Sequence, residues 1–516
     1  MSDLYLGLDS STQSLSAVLI SVEDGRASVV WEHSLQFDAA LPQFGTVHGV
    51  LPSDDPAVAV SSPQMWTEAL ELMLAALASS AQDLSRLRAI SGSAQQHGSV
   101  YLASDGTFSR SLSPIWMDTS TTDECRLITE ALGGDLAVAK HTGSRAFERF
   151  TGPQIRKFLE TDPHAYAETA RIHLVSSFLA SRLLGADAPL DPGDASGMNL
   201  MDLETRDWWP DAVEATAPGL ATRLPPIVSA DTIIGTLAVS WQTRFRLPPA
   251  KLVVWTGDNP SSLIGTGLID EGRVAVSLGT SDTIFGLMRE PRVDPGGTGH
   301  VFGAPTGDYM GITVFTNGSL ARERVRDDHG LDWAGFSEAL RSTPPGNHGR
   351  LMFPWFVPEI TPHVATPGVR RIHLDPDDVA GNVRAVVEGQ MMAMANHSQW
   401  MGVDVREIHA TGGASANTDI LQVMADVVNA NVHRFEAGNS ACLGAALRAW
   451  HADAKASGHP LAWSNIVCDL ATPAGAAITP RPDAAAVYRN LRVRYREAET
   501  DFLGIGRDTR STSGAG

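Results

Sequence analysis

The chain has 516 residues, of which 43% are hydrophobic and 19% charged, so it is long enough for two domains of similar size. Its 39 basic and 59 acidic residues give a net charge of −20, so the basic face that nucleic-acid binding normally needs is not expected. No stretch is long and apolar enough to cross a bilayer, and no membrane segment is expected.

The first predicted element is a β-hairpin at the start of the chain, which lacks the basic flank of a signal peptide. Residues 4–8 form an apolar strand that ends at Asp9, residues 10–13 form a polar turn, and residues 17–20 return as a second strand. Backbone N–H groups and hydroxyls in such a turn can wrap phosphate oxygens, and Asp9 could hold Mg²⁺ through water. Taken alone, this hairpin is more often a simple Asx-turn, in which Asp9 bonds only its own backbone.

The next segment carries side chains suited to a polyol. A helix predicted at 62–77 and a strand at 87–90 begin an alternation of helices and strands, which indicates an α/β fold. The strand leads to His97, and Trp116 and Asp118 follow. Together with the amides of Gln95 and Gln96, these imidazole, carboxylate and aromatic groups can bind the hydroxyl and C–H groups of a sugar. The alternatives are a hydrogen-bonded structural histidine and a core tryptophan.

A candidate general base follows the strand at 252–257. Asp258 is predicted near the N-terminus of a helix that has Pro260 in its first turn. The helix dipole favours the ionised carboxylate there, and a carboxylate near a sugar hydroxyl can accept its proton as the hydroxyl attacks a phosphoryl group. The alternative, given equal weight, is that Asp258 or Asn259 caps the helix.

A second hairpin repeats the pattern of the first about 270 residues later. Apolar strands at 274–278 and 284–288 flank the turn 279–283, in which Gly279 permits close approach of the backbone to a ligand. Two copies of one hairpin, each opening half of the chain, suggest two domains of common design that face each other across a cleft. Two such turns could grip a triphosphate from both sides.

A glycine pair forms the last candidate site. Gly412 and Gly413 lie between a strand at 405–409 and a helix at 419–428, where adenine could lie against the backbone. An ordinary Gly-rich turn between strand and helix is the more frequent use of this pattern.

Several other classes of site lack support in the sequence. Cys125, Cys442 and Cys468 are too few and too scattered for a disulfide framework or a zinc cluster, which fits a reducing cytoplasm. The chain also lacks the motifs of Walker-type ATPases, dinucleotide-binding oxidoreductases, zinc proteases and α/β-hydrolases.

In this order, the two hairpins, the segment 256–263 and the glycine turn resemble the FGGY carbohydrate kinases, the family that includes xylulokinase, glycerol kinase and ribulokinase. The resemblance runs from about Leu4 to about Leu447. Several segments are similar to the animal-type xylulokinase branch, namely SAQQHGS (93–99), IWMDTSTT (115–122), TGSRAFERFTG (142–152), DASGMNL (194–200), TGDNPSSL (256–263), SLGTSDT (277–283) and ATGGASANTDILQ (410–422).

The resemblance implies an α/β fold with two actin-like (ribonuclease H-like) ATPase domains facing each other across a cleft. The N-terminal domain, 1–255, would carry the sugar site and the first phosphate loop. The C-terminal domain, 256–505, would carry the catalytic base, the second phosphate loop and the adenosine site. Residues 506–516 are rich in Ser, Thr and Gly and are predicted to form a disordered tail.

The resemblance also implies roles for individual residues. Asp258 resembles the catalytic base, and Asp9 resembles the aspartate associated with Mg²⁺. The implied sugar-binding residues are His97, Arg149, Asp258 and Asn259, with Trp116 and Asp118 as further candidates. The implied ATP-binding residues are Ser11, Thr12, Gln13, Gly279, Thr280, Ser281, Gly412, Gly413, Ala414 and Asn417, with Trp333 as a further candidate.

The chain departs from the pattern of many bacterial relatives. Their W-[NQ]-D-x-R motif corresponds here to residues 116–120, which lack the arginine, and Arg149 could supply that cation. The serine and tryptophan that follow the relatives' adenosine glycines are Asn417 and Ile420 here, and their K-x-x-W stretch, at 157–160, lacks the tryptophan. These departures resemble the animal-type pattern.

The function implied is ATP- and Mg²⁺-dependent phosphorylation of D-xylulose in the cytoplasm, with sugar and ATP as ligands, no nucleic-acid or membrane partner, and a homodimer as a possibility. One alternative is a kinase for another ketose or polyol, such as ribulose, xylitol or glycerol. The other is an actin-like ATPase without a sugar substrate, which would need neither residues 95–98 nor residues 257–260.

Overall fold

The computed structural model describes residues 2–435, 438–471, 473 and 475–504. The predicted tail at 506–516 lies outside the described residues. Nineteen strands are described: β1 Asp3–Ser10, β2 Ser14–Glu23, β3 Arg26–Gln36, β4 Val60–Ser61, β5 Leu87–Ala94, β6 Ser99–Ala103, β7 Ser113–Pro114, β8 Thr169–Leu174, β9 Ile233–Thr236, β10 Lys251–Val253, β11 Thr256–Gly257, β12 Arg273–Leu278, β13 Asp282–Met288, β14 His300–Gly303, β15 Tyr309–Phe315, β16 Leu351–Phe353, β17 Arg370–Ile372, β18 Glu407–Thr411 and β19 Asn431–Arg434.

The helices lie between and around these strands. The α-helices described are α1 Phe37–Ala40, α2 Pro63–Ala78, α3 Thr122–Ala131, α4 Asp135–Thr142, α5 Thr151–Thr161, α6 Pro163–Glu168, α7 Val175–Leu184, α8 Pro192–Ala195, α9 Pro210–Thr216, α10 Val239–Phe245, α11 Asp258–Gly265, α12 Ser319–Asp328, α13 Trp333–Ser342, α14 Val379–His397, α15 Thr418–Val428, α16 Ser440–Ala456, α17 Trp463–Val467 and α18 Pro482–Leu503. Short 3₁₀ turns occur at Pro42–Phe44, Leu84–Arg86, Ser196–Met198, Leu220–Thr222, Asn347–Gly349, Gln399–Met401 and Gly413–Ala416.

The first large sheet has seven strands in the order β3-β2-β1-β5-β10-β9, and β11 also pairs with β5. Strands β1 and β2 form the predicted N-terminal hairpin, and β1 runs parallel to β5. Seven of the eight residues of β1 are buried, because the strand lies inside the sheet and is covered on both faces. Such strands read as apolar runs rather than alternating ones.

The second large sheet has six strands in the order β14-β15-β13-β12-β18-β19. Its hairpin, β12 and β13, is the second one predicted, and β12 runs parallel to β18. In both sheets, therefore, the first strand of a hairpin pairs antiparallel with the second strand and parallel with a later strand. The shared arrangement agrees with two domains of common design.

Two helices, α11 and α16, pack in very close contact where the sheets meet. A Cβ atom added at Gly265 of α11 would lie 1.9 Å from the backbone oxygen of Ser440, and one at Gly444 would lie 1.9 Å from that of Ser261. Helix α16 also packs on β1 and β5 of the first sheet. Glycine is needed at this crossing because any side chain would force the helices apart.

The domain boundary at 255/256 remains a prediction. Strand β11, Thr256–Gly257, pairs with β5 of the first sheet, and helix α16, Ser440–Ala456, follows the second sheet in the chain but packs on the first. The chain thus passes from the first sheet to the second after β11 and returns to the first with α16. It then goes back to the second, where Ile478 pairs with Val432 and α18 packs on α14 and α15. None of the helices in the described part of the chain is both long and apolar enough to span a membrane.

Candidate active site

The candidate site begins at the carboxyl ends of three parallel strands of the first sheet. In the register of the sheet, Asp9 of β1 pairs with Ser93 of β5, and Ser93 also pairs with Thr256 of β11. Because parallel strands end at the same edge, Asp9 and Asp258 are brought together although 249 positions separate them in the sequence. This edge is where ligands of open α/β sheets usually bind.

Asp9 is buried and held by two hydroxyl groups. Ser93 Oγ donates to one carboxylate oxygen at 2.6 Å, and Ser11 Oγ donates to the other at 2.5 Å. Burial raises the pKa of Asp9, while these two hydrogen bonds lower it. The Asx-turn alternative is therefore incomplete, because Asp9 also binds a side chain on a neighbouring strand.

Asp258 is the first residue of helix α11 and is partly buried. Its Oδ1 accepts hydrogen bonds from the backbone N–H of Asn259 at 2.8 Å and from Asn259 Nδ2 at 3.1 Å. Burial, followed by the negative charge of Asp9, raises its pKa to about 7. The expectation that the helix dipole keeps this carboxylate fully ionised is incomplete, because burial and the charge of Asp9 raise its pKa.

The helix-capping alternative holds only in part. Gly257 is the N-cap of α11 and has no side chain to cap it, while Asp258 lies inside the helix. Asp258 is therefore not the N-cap residue, although its Oδ1 satisfies one free N–H of the first turn, that of Asn259.

Gln96, one of the two amides predicted for a polyol site, has a contact that the sequence interpretation missed. Its Oε1 accepts a hydrogen bond from Asn259 Nδ2 at 2.9 Å, and its Nε2 donates to the carbonyl of Gly193 at 3.2 Å. Gln96 thus fixes the side-chain amide of Asn259, which in turn bonds Asp258. Its position directly before His97 indicated that it lies near the site. The neighbouring sequence gave no indication that it contacts Asn259.

His97 has a strained backbone and a defined tautomer. Its φ of 73° lies in the left-handed region, which non-glycine residues rarely adopt. Its Nδ1 lies 2.7 Å from the carbonyl of Gly197, which can only accept, so Nδ1 carries the proton and Nε2 is an acceptor. Burial and then the charge of Arg149 lower the pKa of His97 to about 3, which keeps the ring neutral.

Arg149 lies near His97 and contacts the second sheet. Its Nη2 donates to Nε2 of His300, the first residue of β14, at 2.7 Å. The guanidinium carbon lies 5.0 Å from the ring centre of Phe147 and 5.8 Å from that of Phe150. Burial lowers the pKa of Arg149 to about 10, so the side chain stays cationic at neutral pH.

Trp116 and Asp118 occupy different environments. Trp116 is 43% exposed, so the core alternative does not hold, and its Nε1 donates to Thr12 Oγ1 in the first predicted phosphate loop at 2.8 Å. Asp118 is buried, and its carboxylate accepts from the backbone N–H groups of Ala59 and Ser120. Asp118 therefore holds its own loop, and its assignment to the sugar stays a prediction.

The two predicted phosphate loops are the turns of the two hairpins. Residues 11–13, which include Ser11, Thr12 and Gln13, join β1 to β2. Residues 279–281, which are Gly279, Thr280 and Ser281, join β12 to β13. The carbonyl of Gly279 accepts a hydrogen bond from the backbone N–H of Ser319, which begins α12, at 2.8 Å.

A buried ion pair anchors the second loop. Asp282 accepts two hydrogen bonds from Arg322 of α12, at 2.7 and 2.9 Å, and both side chains are almost fully buried. Breaking one partner of such a pair is costly because the other charge is left buried and unpaired. Arg322 is a residue that the sequence interpretation missed.

The predicted adenosine residues line an open cleft of about 600 Å³. Trp333, Gly413, Ala414 and Asn417 contribute to its wall, and Trp333 is 41% exposed. Gly412 follows the last residue of β18 with a φ of 83°, and an added Cβ would lie 2.6 Å from the carbonyl oxygen of Leu278.

The side-chain amide of Asn417 is occupied within the protein. Its Oδ1 accepts from the backbone N–H groups of Asp419 and Ile420 as the cap of α15, and its Nδ2 donates to Ser337 Oγ. Asn417 therefore shapes the cleft by capping a helix, a use that its position before a predicted helix also allows.

Comparisons with known proteins agree with this geometry. The N-terminal domain of the FGGY family of carbohydrate kinases matches residues 4–265, and the C-terminal domain matches residues 274–452. The chain is 42% identical to a xylulose kinase of Rattus norvegicus, with 97% of each chain covered. It is 38% identical to xylulose kinase 2 of Arabidopsis thaliana, again with 97% of each chain covered.

Solved structures show the same fold at lower identity. A gluconate kinase from Lactobacillus acidophilus superposes with a TM-score of 0.84 at 19% identity and covers 98% of this chain and 99% of its own. A xylulose kinase from Rhodospirillum rubrum superposes with a TM-score of 0.82 at 20% identity and covers 97% of this chain and 99% of its own.

Proposed function

The chain belongs to the FGGY family of carbohydrate kinases, with its two-domain actin-like fold, and on that basis we propose that it transfers the γ-phosphoryl group of ATP to the 5-hydroxyl of D-xylulose. The products are D-xylulose 5-phosphate and ADP. The similarity to xylulose kinases over nearly the whole chain supports this ketose as the substrate. The observation that carries the chemistry is the position of Asp258 at the same edge of the first sheet as Asp9, where burial and the charge of Asp9 raise its pKa to about 7.

Asp258 acts as the general base in this proposal. A general base works best when its pKa lies near the working pH, because it is then both deprotonated and able to take a proton. The 5-hydroxyl oxygen forms a bond to the γ-phosphorus as the bond from that phosphorus to the β,γ-bridging oxygen breaks. The hydroxyl proton passes to the carboxylate of Asp258, and the electron pair of the broken bond leaves with ADP.

Asp9 would hold the magnesium ion that accompanies ATP. The donor set fits a metal shared with phosphates, because Mg²⁺ takes one or two carboxylates and otherwise binds phosphate oxygens and water. Within the described ranges there is no cluster of three or more His, Cys, Asp or Glu side chains that would cage a metal by itself. When bound, Mg²⁺ supplies positive charge that offsets the charge on the phosphates.

The sugar would lie against the polar groups of His97, Arg149 and Asn259. His97 offers Nε2 as an acceptor for a sugar hydroxyl, and Arg149 offers N–H groups to a hydroxyl or carbonyl oxygen. Gln96 uses one N–H of the Asn259 amide, which orients the amide beside Asp258. These groups hold the hydroxyl that reacts next to the base, and such positioning supplies much of the catalysis in phosphoryl transfer.

A substrate panel with coupled ADP detection tests the proposal. We expect kcat/KM for D-xylulose to exceed that for glycerol by on the order of 10³ or more, because a pocket built to bond several hydroxyls rejects a ligand that lacks them. D-ribulose, L-ribulose and xylitol complete the panel. A higher kcat/KM for any of these would contradict the assignment to D-xylulose. Homodimerisation and a cytoplasmic location remain predictions from the sequence.

A further inference from the structure

His300 is a buried histidine on the second sheet that contacts the sugar-binding segment of the first half. It begins β14, an edge strand of the second sheet, and is 3% exposed. Two backbone N–H groups of this strand donate hydrogen bonds to the first half of the chain. Val301 N–H donates to the carbonyl of Gly143, and Gly303 N–H donates to Ser196 Oγ, both at 3.0 Å.

In the hydrogen bond between Arg149 and His300, only Arg149 can be the donor. Arginine has donors and no acceptor, so its Nη2 must donate to Nε2 of His300 at 2.7 Å. Nε2 therefore carries no proton, and the ring is the neutral tautomer with its proton on Nδ1. Burial and then the charge of Arg149 lower the pKa of His300 well below its usual value, in agreement with that tautomer.

Apart from the bond to His300, few contacts orient the guanidinium of Arg149. Within the described part of the chain, the charge of Glu148 acts on Arg149 and raises its pKa, but no Asp or Glu side chain forms an ion pair with it. The bond to His300 is the only hydrogen bond that its guanidinium makes there. The rings of Phe147 and Phe150 pack near the guanidinium. A ring face attracts a cation but does not select which N–H groups point toward a ligand.

We infer that His300 is a positioning residue of the sugar site, which orients the guanidinium of Arg149 so that its remaining N–H groups face the sugar. This inference rests on the proposed function, because it takes Arg149 as a sugar contact. It also means that the sugar site is built from both halves of the chain, since β14 belongs to the second sheet. If the sugar site were built from the first half of the chain alone, the guanidinium of Arg149 would have no fixed orientation toward the sugar.

A purely structural role for His300 has to be separated from this one. The ring lies 5.0 Å from that of Phe147 and 5.6 Å from that of Phe150, so its replacement could disturb the packing of these aromatic side chains. A loss of packing would affect all histidine replacements of similar size. A loss of the acceptor would affect only the replacements that cannot accept a hydrogen bond at the position of Nε2.

The test uses three variants that separate these effects. In His300→Gln the amide oxygen can reach the position of Nε2, in His300→Asn the shorter side chain reaches only the position of Nδ1, and His300→Leu has no acceptor. We expect KM and the calorimetric dissociation constant for D-xylulose to rise about 10- to 100-fold in the Asn and Leu variants, the range for a hydrogen bond to a charged group. His300→Gln should stay within about threefold of wild type, and KM for ATP should change little in all three.

A double-mutant cycle with Arg149→Ala completes the test. If His300 acts through Arg149, His300→Leu should add little to the loss that Arg149→Ala already causes. Equal losses in all three His300 variants, or full additivity with Arg149→Ala, would overturn the inference. Unchanged KM and sugar affinity in His300→Leu would also overturn it.

The wild-type enzyme is assayed first, so that failure of the proposed substrate is not mistaken for failure of this inference. If another ketose or polyol gives the highest kcat/KM, the D-xylulose assignment fails and the cycle is measured with that sugar. Melting temperatures of all variants show whether each is folded. A variant that does not fold is excluded. The comparison of His300→Gln with His300→Asn then decides between loss of the hydrogen-bond acceptor and loss of packing.

Discussion

The carboxyl group of Asp258 lies close enough to Asp9 for the two charges to interact across the edge of the first sheet. Burial, and then the negative charge of Asp9, raise the pKa of Asp258 to about 7. One carboxylate, Asp9, lies at the end of β1, and the other begins α11, next to the strand β11 that pairs with β5. The parallel register of the sheet therefore sets both the position and the basicity of the proposed base.

The pH dependence of activity follows from this pKa. Asp258 must be deprotonated to accept a proton, so kcat/KM should rise as the pH increases through about 7. Measured as kcat/KM for ATP at saturating D-xylulose, the profile reports the enzyme before nucleotide binds. His97, with a pKa of about 3, and His300, with a pKa well below its usual value, cannot produce this limb.

The Asp9→Asn variant provides a control for the pH profile. Removing the negative charge of Asp9 should lower the pKa of Asp258, so the rising limb should move to lower pH in the residual activity. The limb should stay above the ordinary range of an aspartate, because burial remains. A limb at an unchanged position would mean that Asp9 does not act on the base.

The metal requirement tests the role of Asp9 in nucleotide binding. Activity should disappear in the presence of a Mg²⁺ chelator and return when Mg²⁺ is added in excess, because the proposal makes Mg²⁺, held through Asp9, the charge that offsets the phosphates. Asp9→Ala should raise the Mg²⁺ concentration needed for half-maximal activity. Full activity with chelator present, or an unchanged Mg²⁺ requirement in Asp9→Ala, would contradict this assignment.

The hydrogen bond between Trp116 and Thr12 links the sugar side of the cleft to the first phosphate loop. An indole N–H can only donate, so the Thr12 hydroxyl keeps its proton free for a phosphate oxygen. Trp116→Phe keeps an aromatic ring and removes this donor. We expect KM for ATP to rise about 3- to 10-fold, with a smaller change in KM for D-xylulose. If only KM for the sugar changes, Trp116 serves as a sugar contact alone.

The crossing of α11 and α16 predicts a specific loss of stability. A Cβ at Gly265 would lie 1.9 Å from the Ser440 oxygen, so Gly265→Ala must separate the helices and should cost about 1–3 kcal/mol or more. Gly368→Ala is the control, because no atom lies within 4 Å of its added Cβ. Thermal unfolding compares the two variants. Equal melting temperatures would mean that the contact is not as close as described.

The parts of the fold with local signals were predictable from the sequence. The helix predicted at 62–77 is Pro63–Ala78, because serine and proline mark its start and an apolar pattern continues through it. The predicted strand at 87–90 is the first half of β5, Leu87–Ala94. The strand continues past residue 90 through small residues, whose weak apolar pattern concealed its true length.

The parts of the site that depend on distant residues were not predictable in the same way. Gln96 and Asn259 are 163 positions apart, and Arg149 and His300 are 151 positions apart, yet each pair shares a hydrogen bond. The pKa of Asp258 was misjudged for the same reason, since the helix dipole is a local feature. Burial and the charge of Asp9 come from the sheet.

The most direct test of the central claim is the activity of Asp258→Asn. The amide keeps the shape of the side chain and its helix position but cannot accept the hydroxyl proton. We predict that kcat for D-xylulose falls by at least about 10²-fold, while the calorimetric affinity for D-xylulose changes little. A kcat within a few-fold of wild type in the folded variant would contradict the assignment of Asp258 as the base.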